Sequence, residues 1–417
     1  MDVKLQLGPE DLSPSLLKKV VRQGGRDSFP EARTEVREHL GLEMDAKQVQ
    51  RYTERIGGEW GALRDAEVAA FKQGQLPRAH AGAPQAAAVM VDSGRVLTRA
   101  GDQPPGVHAP QWRGPRYACC LTLDSEPQPR DPQPEPPPKF LDRERVPKLV
   151  REVQSRAGSA SAPSAPACRA AKKKVQKQRP RKRKALRPGE VRRLVRTAVA
   201  SMASAAEFGY MATAESHRRS LDLASRKAFV CDGELSNWSI WEQHFRESGF
   251  VPILDFLHLL TYLYAAAHAA GGKPQQQWAR YETWLRWAWG GEREKLWATL
   301  CAASAKAGAP PKDAPEQDRR SILHDAARYV EHNLPRMDYP RYRRQGLPIS
   351  SAPVESLIKQ FNRRVKGTEK FWLEQGVEAV LQVRAAYLSE DGRADRYWNM
   401  PRPLYRAVGR SRLNLVA

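Results

Sequence analysis

Two short stretches decide the fold: Ala86-Ala87-Ala88-Val89-Met90-Val91-Asp92-Ser93-Gly94 and Ala228-Phe229-Val230-Cys231-Asp232-Gly233. Each is an apolar run of strand length that ends in an aspartate and a glycine-containing turn. Continuous apolar runs of this length suit strands covered on both faces of an α/β sheet. A carboxylate at such a strand end, beside a glycine turn, points into a cleft and leaves room for a ligand at the backbone. If the two strands lie side by side, both carboxylates serve one metal cluster. Taken singly, an Asp-Gly at a strand end is more often a plain turn.

The surrounding sequence fills in the sheet. Arg95 to Arg99 reads as a second strand and Tyr117 to Leu123 as a third, which together with the first suggest an antiparallel meander. Lys227 to Cys231 is a short strand, a helix around Trp238 to Phe245 follows, and Val251 to Leu254 is another strand ending at Asp255. Pro188 to Met211 shows helical spacing, with Val191, Leu194, Val195, Val199 and Met202 recurring at threes and fours. From Leu259 to about Arg344 the pattern is helical and rich in tryptophan.

A third acid comes from Ile349-Ser350-Ser351-Ala352-Pro353-Val354-Glu355-Ser356. Small residues and a proline open a helix here, and Glu355 sits in its first turn. By itself, an acid there also suits the helix macrodipole. Lys359, Arg363, Arg364 and Lys366 follow, most of them on or beside the same face. An acid that binds metal, followed by bases that grip phosphate, suits chemistry on a phosphodiester. Magnesium or manganese prefers hard oxygen donors and takes its remaining ligands from water and substrate. Two such ions can activate an attacking hydroxyl and stabilise the leaving oxygen.

Composition agrees with a nucleic-acid partner. Lysine plus arginine exceed aspartate plus glutamate by 69 − 47 = +22 over 417 residues, and the isoelectric point is near 10.0. Such a balance predicts a polyanion as partner. A membrane is not expected, because no apolar run reaches spanning length, and Met1 to Glu10 is too mixed and charged for a signal peptide. Five cysteines, Cys119, Cys120, Cys168, Cys231 and Cys301, show no CxxC spacing. They indicate neither a disulfide framework nor a zinc ribbon, which fits a reducing cytoplasm.

The first 75 residues read as helical. Ala32, Val36 and Leu40 share a face, Gly41 breaks it, and Asp45 can cap a second helix bearing Val49, Tyr52, Ile56, Trp60 and Leu63. This is either a helix-turn-helix, with Lys47, Gln48, Arg51 and Arg55 turned towards DNA, or an ordinary helical hairpin. Between the first two acids lies Glu126 to Pro138, seven prolines in thirteen residues, which reads as a solvated, semi-rigid spacer. An amphipathic segment, Arg143 to Val153, follows. Arg169 to Arg187 then carries eleven bases and no acid, and self-repulsion predicts disorder there until phosphates neutralise it.

These blocks, in this order, resemble bacterial insertion-sequence transposases of the DDE type, in particular the Mutator-like group with a ribonuclease-H-like core. Val91-Asp92-Ser93-Gly94-Arg95-Val96-Leu97-Thr98-Arg99, with Pro105-Gly106-Val107-His108 and Trp112, resembles the first-aspartate region. Asp232-Gly233 with Trp238 resembles the second block, and Ile253-Leu254-Asp255-Phe256-Leu257-His258 the strand and histidine after it. Ser350 to Ser356, running on to Phe371-Trp372, resembles the glutamate block. The likeness covers about residues 86–372. It implies a metal-binding catalytic triad of Asp92, Asp232 and Glu355, with Asp255 the rival for second acid. Asp255, His258 and Trp238 would be accessory.

The expected chain is thus α/β, a ribonuclease-H-like mixed sheet with a helical insertion behind an N-terminal helical domain. Its segments are a helical DNA-binding domain (1–75), the first part of the core (85–125), a Pro-rich and basic disordered insertion (126–187), the second part of the core (188–258), a helical insertion (259–345), the final core helix with Glu355 (346–390) and a basic tail (391–417). The resemblance implies binding of terminal inverted repeats in double-stranded DNA, strand cleavage and transfer with Mg²⁺ or Mn²⁺, homo-oligomerisation, and a nucleoid-associated place in the cytoplasm. The other reading is a DNA-binding protein derived from a transposase that no longer cuts.

Overall fold

The computed structural model describes residues 12–79, 82–101, 111–158, 185–315, 317–367 and 370–400. Most of the basic tract, the segment around His108 and the C-terminal tail fall outside these. At the centre is a mixed sheet of five strands: β1 (Ala86–Ser93), β4 (Arg116–Asp124), β5 (Arg192–Ser201), β6 (Arg226–Cys231) and β7 (Val251–Leu254), in the order β5-β4-β1-β6-β7. The pairs β1–β4 and β4–β5 are antiparallel, whereas β1–β6 and β6–β7 are parallel. From Ala86 to Val91 every residue of β1 is buried. That is why this strand carries no polar alternation: helices cover both faces of a central strand in a mixed sheet.

Two strand expectations are corrected. The segment Arg95–Arg99 does not join a meander. Its β2 (Val96–Thr98) pairs with β3 (Gln111–Arg113) in a separate small sheet, and β1 pairs directly with β4. Residues 192–201 form a strand, not a helix. Spacings of three and four fitted Val191 to Met202, but Val195, Thr197 and Val199 are β-branched and alternate. Pairing with β4 over Arg116–Asp124 decides the outcome. The helix expected there begins later, at α5 (Ala205–Arg218), where Ser204 and Glu207 form a capping box.

The N-terminal helices are α1 (Pro14–Gly24), α2 (Phe29–Leu40) and α3 (Ala46–Lys72). Gly41 ends α2 in the left-handed region at φ 61°, as a helix stop requires. Rather than standing apart, α3 lies along α13 (Glu374–Leu388). A Cβ on Gly57 would come within 2.2 Å of the Ala379 carbonyl oxygen, so only glycine permits this approach. Arg64 binds Glu378 at 2.5 Å, and Lys18 binds Asp395 of α14 (Arg393–Asn399) at 2.8 Å.

The proline-rich stretch is also not a free spacer. It crosses the helical insertion, whose helices are α7 (Phe256–Ala269), α8 (Pro274–Gly290), α9 (Arg293–Ala307), α10 (Arg319–Asn333) and α11 (Tyr339–Arg344). Trp289 donates its indole N–H to the Gln133 carbonyl at 2.8 Å. The Arg343 guanidinium pairs with Asp131 and lies over the Trp289 ring. Phe140 at the strap's end packs on Phe256 and Trp289. Prolines present few backbone donors, so such a strap is held by its carbonyls and side chains. The amphipathic segment after it is α4 (Arg145–Gly158), with Val146, Val150 and Val153 buried. Cys119, Cys120 and Cys231 are buried and unpaired. No described helix is long and apolar enough to cross a membrane.

Candidate metal centre

Strand register builds the site. In the parallel pair β1–β6, Ala86 faces Arg226 and Met90 faces Val230, a constant offset of 226 − 86 = 140 residues. The same offset carries Asp92 to the level of Asp232. In β6–β7, Cys231 faces Leu254, and one residue further Asp232 is level with Asp255. Three aspartates therefore end three adjacent parallel strands in one row. Residues level in parallel strands point to the same side of the sheet.

Glu355 reaches this row from α12 (Ala352–Val365). The Asp255 carboxylate fixes the start of that helix: its Oδ1 accepts the Ser351 backbone N–H at 2.9 Å. Ser351 in turn donates its hydroxyl to Glu355 Oε1 at 3.3 Å. Glu355 is buried. On the far side Phe361 of α12 packs on Tyr117, the β4 partner of Asp92, with ring centroids 4.9 Å apart.

Asp232 and Asp255 differ in how their oxygens are used. Asp255 is fully buried. Besides Ser351, it accepts the His258 backbone N–H at 3.1 Å and faces His258 Nδ1 at 2.6 Å, so it caps α7 and clamps the histidine. Asp232 accepts the Glu234 N–H at 3.1 Å and the Asn237 side-chain amide at 3.0 Å, both on Oδ1. Its backbone carbonyl accepts the Tyr329 hydroxyl at 2.6 Å, and Gly233 turns away at φ 96°. A Cβ there would lie 2.8 Å from the Tyr329 ring.

Electrostatics mark the row as crowded with negative charge. Asp92 is half-buried. Burial pushes its carboxyl up to about 8, and the Asp232 and Glu355 charges add to the rise. His258 and the Ser93 N–H, which donates to Asp92 Oδ1 at 2.7 Å, oppose it. Burial alone would lower His258. Asp255, then Asp232 and Asp92, outweigh burial and raise the imidazole to about 9. Asp255 is held below the usual carboxylate range, despite burial, by His258 and by the Ser351 and His258 N–H groups. Like charges at one site raise carboxyl pKa values, and an opposite charge lowers them.

Asp255, His258 and Glu355 bring one donor atom each within 4.8 Å of one another, a buried group able to hold a metal ion. The structure thus gathers Asp92, Asp232, Asp255, His258 and Glu355 at one place.

Other residues singled out from the sequence have different surroundings. Trp238 of α6 (Leu235–His244) is buried and donates its indole N–H to Asn333 at 2.8 Å, which makes it a packing residue. Arg364 is not open to DNA. It is buried, donates to the Gly24 carbonyl at 2.8 Å, and lies between the Phe29 and Trp372 rings. Lys359 is exposed and pairs with Glu152. Arg363 is exposed and Lys366 half-buried. Lys47 and Arg51 are exposed, Arg55 faces Glu59, and Gln48 closes the capping box of Asp45. Three positioning residues, Asn237, Tyr329 and Ser351, went unread. Asn237 stood within reach of a signal, one helical turn past Asp232. Tyr329 did not, since it arrives from a helix 97 residues away.

No protein-family model matches this sequence, and no curated protein is similar to it.

Proposed function

We propose that the protein is a DNA transposase whose acids Asp92, Asp232 and Glu355 hold divalent metal for cleavage and transfer of DNA strands. The observation that carries this reading is the register: Asp92 and Asp232 end neighbouring parallel strands at one level, and α12 delivers Glu355 to them. The sheet order, antiparallel on one side of β1 and parallel on the other, supports the ribonuclease-H-like core that the motifs imply.

The residues fit Mg²⁺ or Mn²⁺. Burial first, and then the Asp232 and Glu355 charges, drive Asp92 towards its protonated form. A hard divalent cation supplies the opposite charge. Bound there, it would supply an activated hydroxyl nucleophile and stabilise the leaving oxygen of the phosphodiester. Asp232 is the better second acid. The Asp255 carboxylate is committed on both oxygens to α7, His258 and α12, whereas the contacts of Asp232 fall on Oδ1.

The remaining residues position. Asp255 aligns His258 and the start of α12. With Nδ1 on Asp255, the imidazole has Nε2 to offer as a donor beside the acids, suited to a phosphate oxygen. Arg363 and Lys366 continue α12 with positive charge for the DNA backbone. The +22 balance supports a polyanionic substrate.

The test is a supercoiled plasmid carrying candidate element ends, incubated with Mg²⁺ or Mn²⁺. Nicking and joining by wild type, absent in Asp92→Asn, is the expected result. Binding without nicking or joining would overturn the enzyme reading in favour of a DNA-binding protein. Nicking without joining would make it a nuclease.

A further inference from the structure

The small β2–β3 sheet carries a surface that the acid row does not use. Trp372 extends it by one isolated parallel bridge to Thr98: it accepts the Arg99 N–H at 2.9 Å and donates to the Leu97 carbonyl at 3.0 Å. Pairing fixes which side chains share a face. Thr98 and Trp372 point inward, and the Trp372 indole donates to the Val365 carbonyl at the end of α12. Leu97 pairs with Trp112, and Phe371 and Leu373 flank the bridge, so these four share the opposite, outer face. Three of them are large and open: Trp112 is 40% exposed, Phe371 52% and Leu373 42%.

Arg95 and Arg99 fall on the same outer face by alternation and are exposed, whereas Arg113 pairs with Val96 on the opposite face. Residues 94–101, 111–116 and 370–373 contain no acid, and the exposed Glu374 follows directly on Leu373. The ribbon joins the site directly, because β2 starts four residues after Asp92 and Gly94 donates to the Pro115 carbonyl at 2.8 Å.

We propose that this face binds DNA bases that have left the duplex stack near the scissile position, with Trp112 and Phe371 as stacking surfaces and Arg99 on the backbone. An exposed aromatic pair of this size on a soluble chain marks a binding surface. Two observations select nucleic acid over a second protein: exposed Arg95 and Arg99 stand beside the aromatics, and the face adjoins an acid row suited to phosphodiester chemistry. Unpaired bases offer flat faces to aromatic rings whatever their sequence. A closed duplex hides those faces, so the ribbon favours single-stranded segments. The proposal deepens the DNA reading above and rests on it.

The experiment uses the full chain without divalent metal, so that no strand is cut. Fluorescence anisotropy compares a blunt duplex with the same duplex carrying a single-stranded 3′ tail. Trp112→Ala and Phe371→Ala should each weaken the tailed duplex by about tenfold and leave the blunt duplex within about twofold. Arg99→Gln should lower the salt dependence by about one charge. Unchanged melting of these exposed-residue variants by circular dichroism keeps folding out of the comparison. Variants that bind tailed DNA like wild type overturn the proposal while the transposase reading stands. The same holds if they instead lose self-association in sedimentation, which would make the face a contact between copies. Failure of wild type to bind either DNA overturns both.

Discussion

Asp232 and Asp255 occupy equivalent places, one residue past the ends of neighbouring parallel strands, yet their surroundings make them opposites. Asp255 is sealed in, bound to two backbone N–H groups and an imidazole. Asp232 is half-buried, with both its side-chain contacts on one oxygen. Position at a strand end therefore does not define a ligand; the use of the carboxylate's lone pairs does. One aspartate organises the site and the other is poised to serve it.

The comparison predicts a double dissociation. Asp92→Asn, Asp232→Asn or Glu355→Gln should lower nicking of end-bearing plasmid by roughly 10⁴-fold, with urea stability of the metal-free protein unchanged or raised, because each relieves like-charge repulsion. Asp255→Asn should do the reverse first. Removing one partner of a buried charged pair costs about 3 kcal/mol, read as a lower denaturant midpoint. If Asp255→Asn is as stable as wild type, the organising role assigned to it is wrong.

Gly233→Ala sharpens the same contrast with a smaller effect. The left-handed backbone at Gly233 and the Tyr329 ring beside it make an added methyl cost about 2 kcal/mol. Asp232 would move with it, so weaker metal binding should accompany the lost stability. A variant with wild-type melting would show that this turn is not constrained by Tyr329.

The shallowest effect is in pH. Asp92 is raised to about 8 and His258 to about 9. A raised acid binds more protons folded than unfolded, so its contribution is present at low pH and fades as pH climbs from its unfolded value to about 8. A raised histidine contributes fully below about 6.5 and loses that as pH rises to about 9. Both signs agree: the metal-free protein should lose stability from about pH 6.5 to 9. Mg²⁺ should restore it, since ligands of the native state stabilise by mass action. Asp92→Asn should flatten the slope. A slope rising with pH in wild type would contradict the charge balance described here.

Much of the sheet was legible because its strands are short apolar runs ended by turn residues. Tyr117–Leu123, Lys227–Cys231 and Val251–Leu254 needed no partner to be read. Residues 192–201 did, because Val191, Leu194, Val195 and Val199 satisfy helical and strand spacing alike, and only pairing with β4 separates the two. The three site acids were legible as motifs, but their alignment was not. Register between β1 and β6 depends on strand direction and neighbours, which are set by residues 140 apart in sequence. Arg364 shows the opposite failure. A base on a basic helix reads as a phosphate contact, and nothing local reveals that Gly24, Phe29 and Trp372 enclose it. The proline-rich strap was misjudged for the same reason: its partners, Trp289 and Arg343, lie about 150 to 210 residues away.

On this reading Asp92, Asp232 and Glu355 hold the metal, with Asp255 and His258 as support. Mn²⁺ titration followed by electron paramagnetic resonance, on wild type, Asp232→Asn and His258→Gln, tests it most directly. Asp232→Asn should abolish Mn²⁺ binding and His258→Gln should retain it. The reverse pattern, binding kept in Asp232→Asn and lost in His258→Gln, would place the ion among Asp255, His258 and Glu355 and away from Asp92 and Asp232.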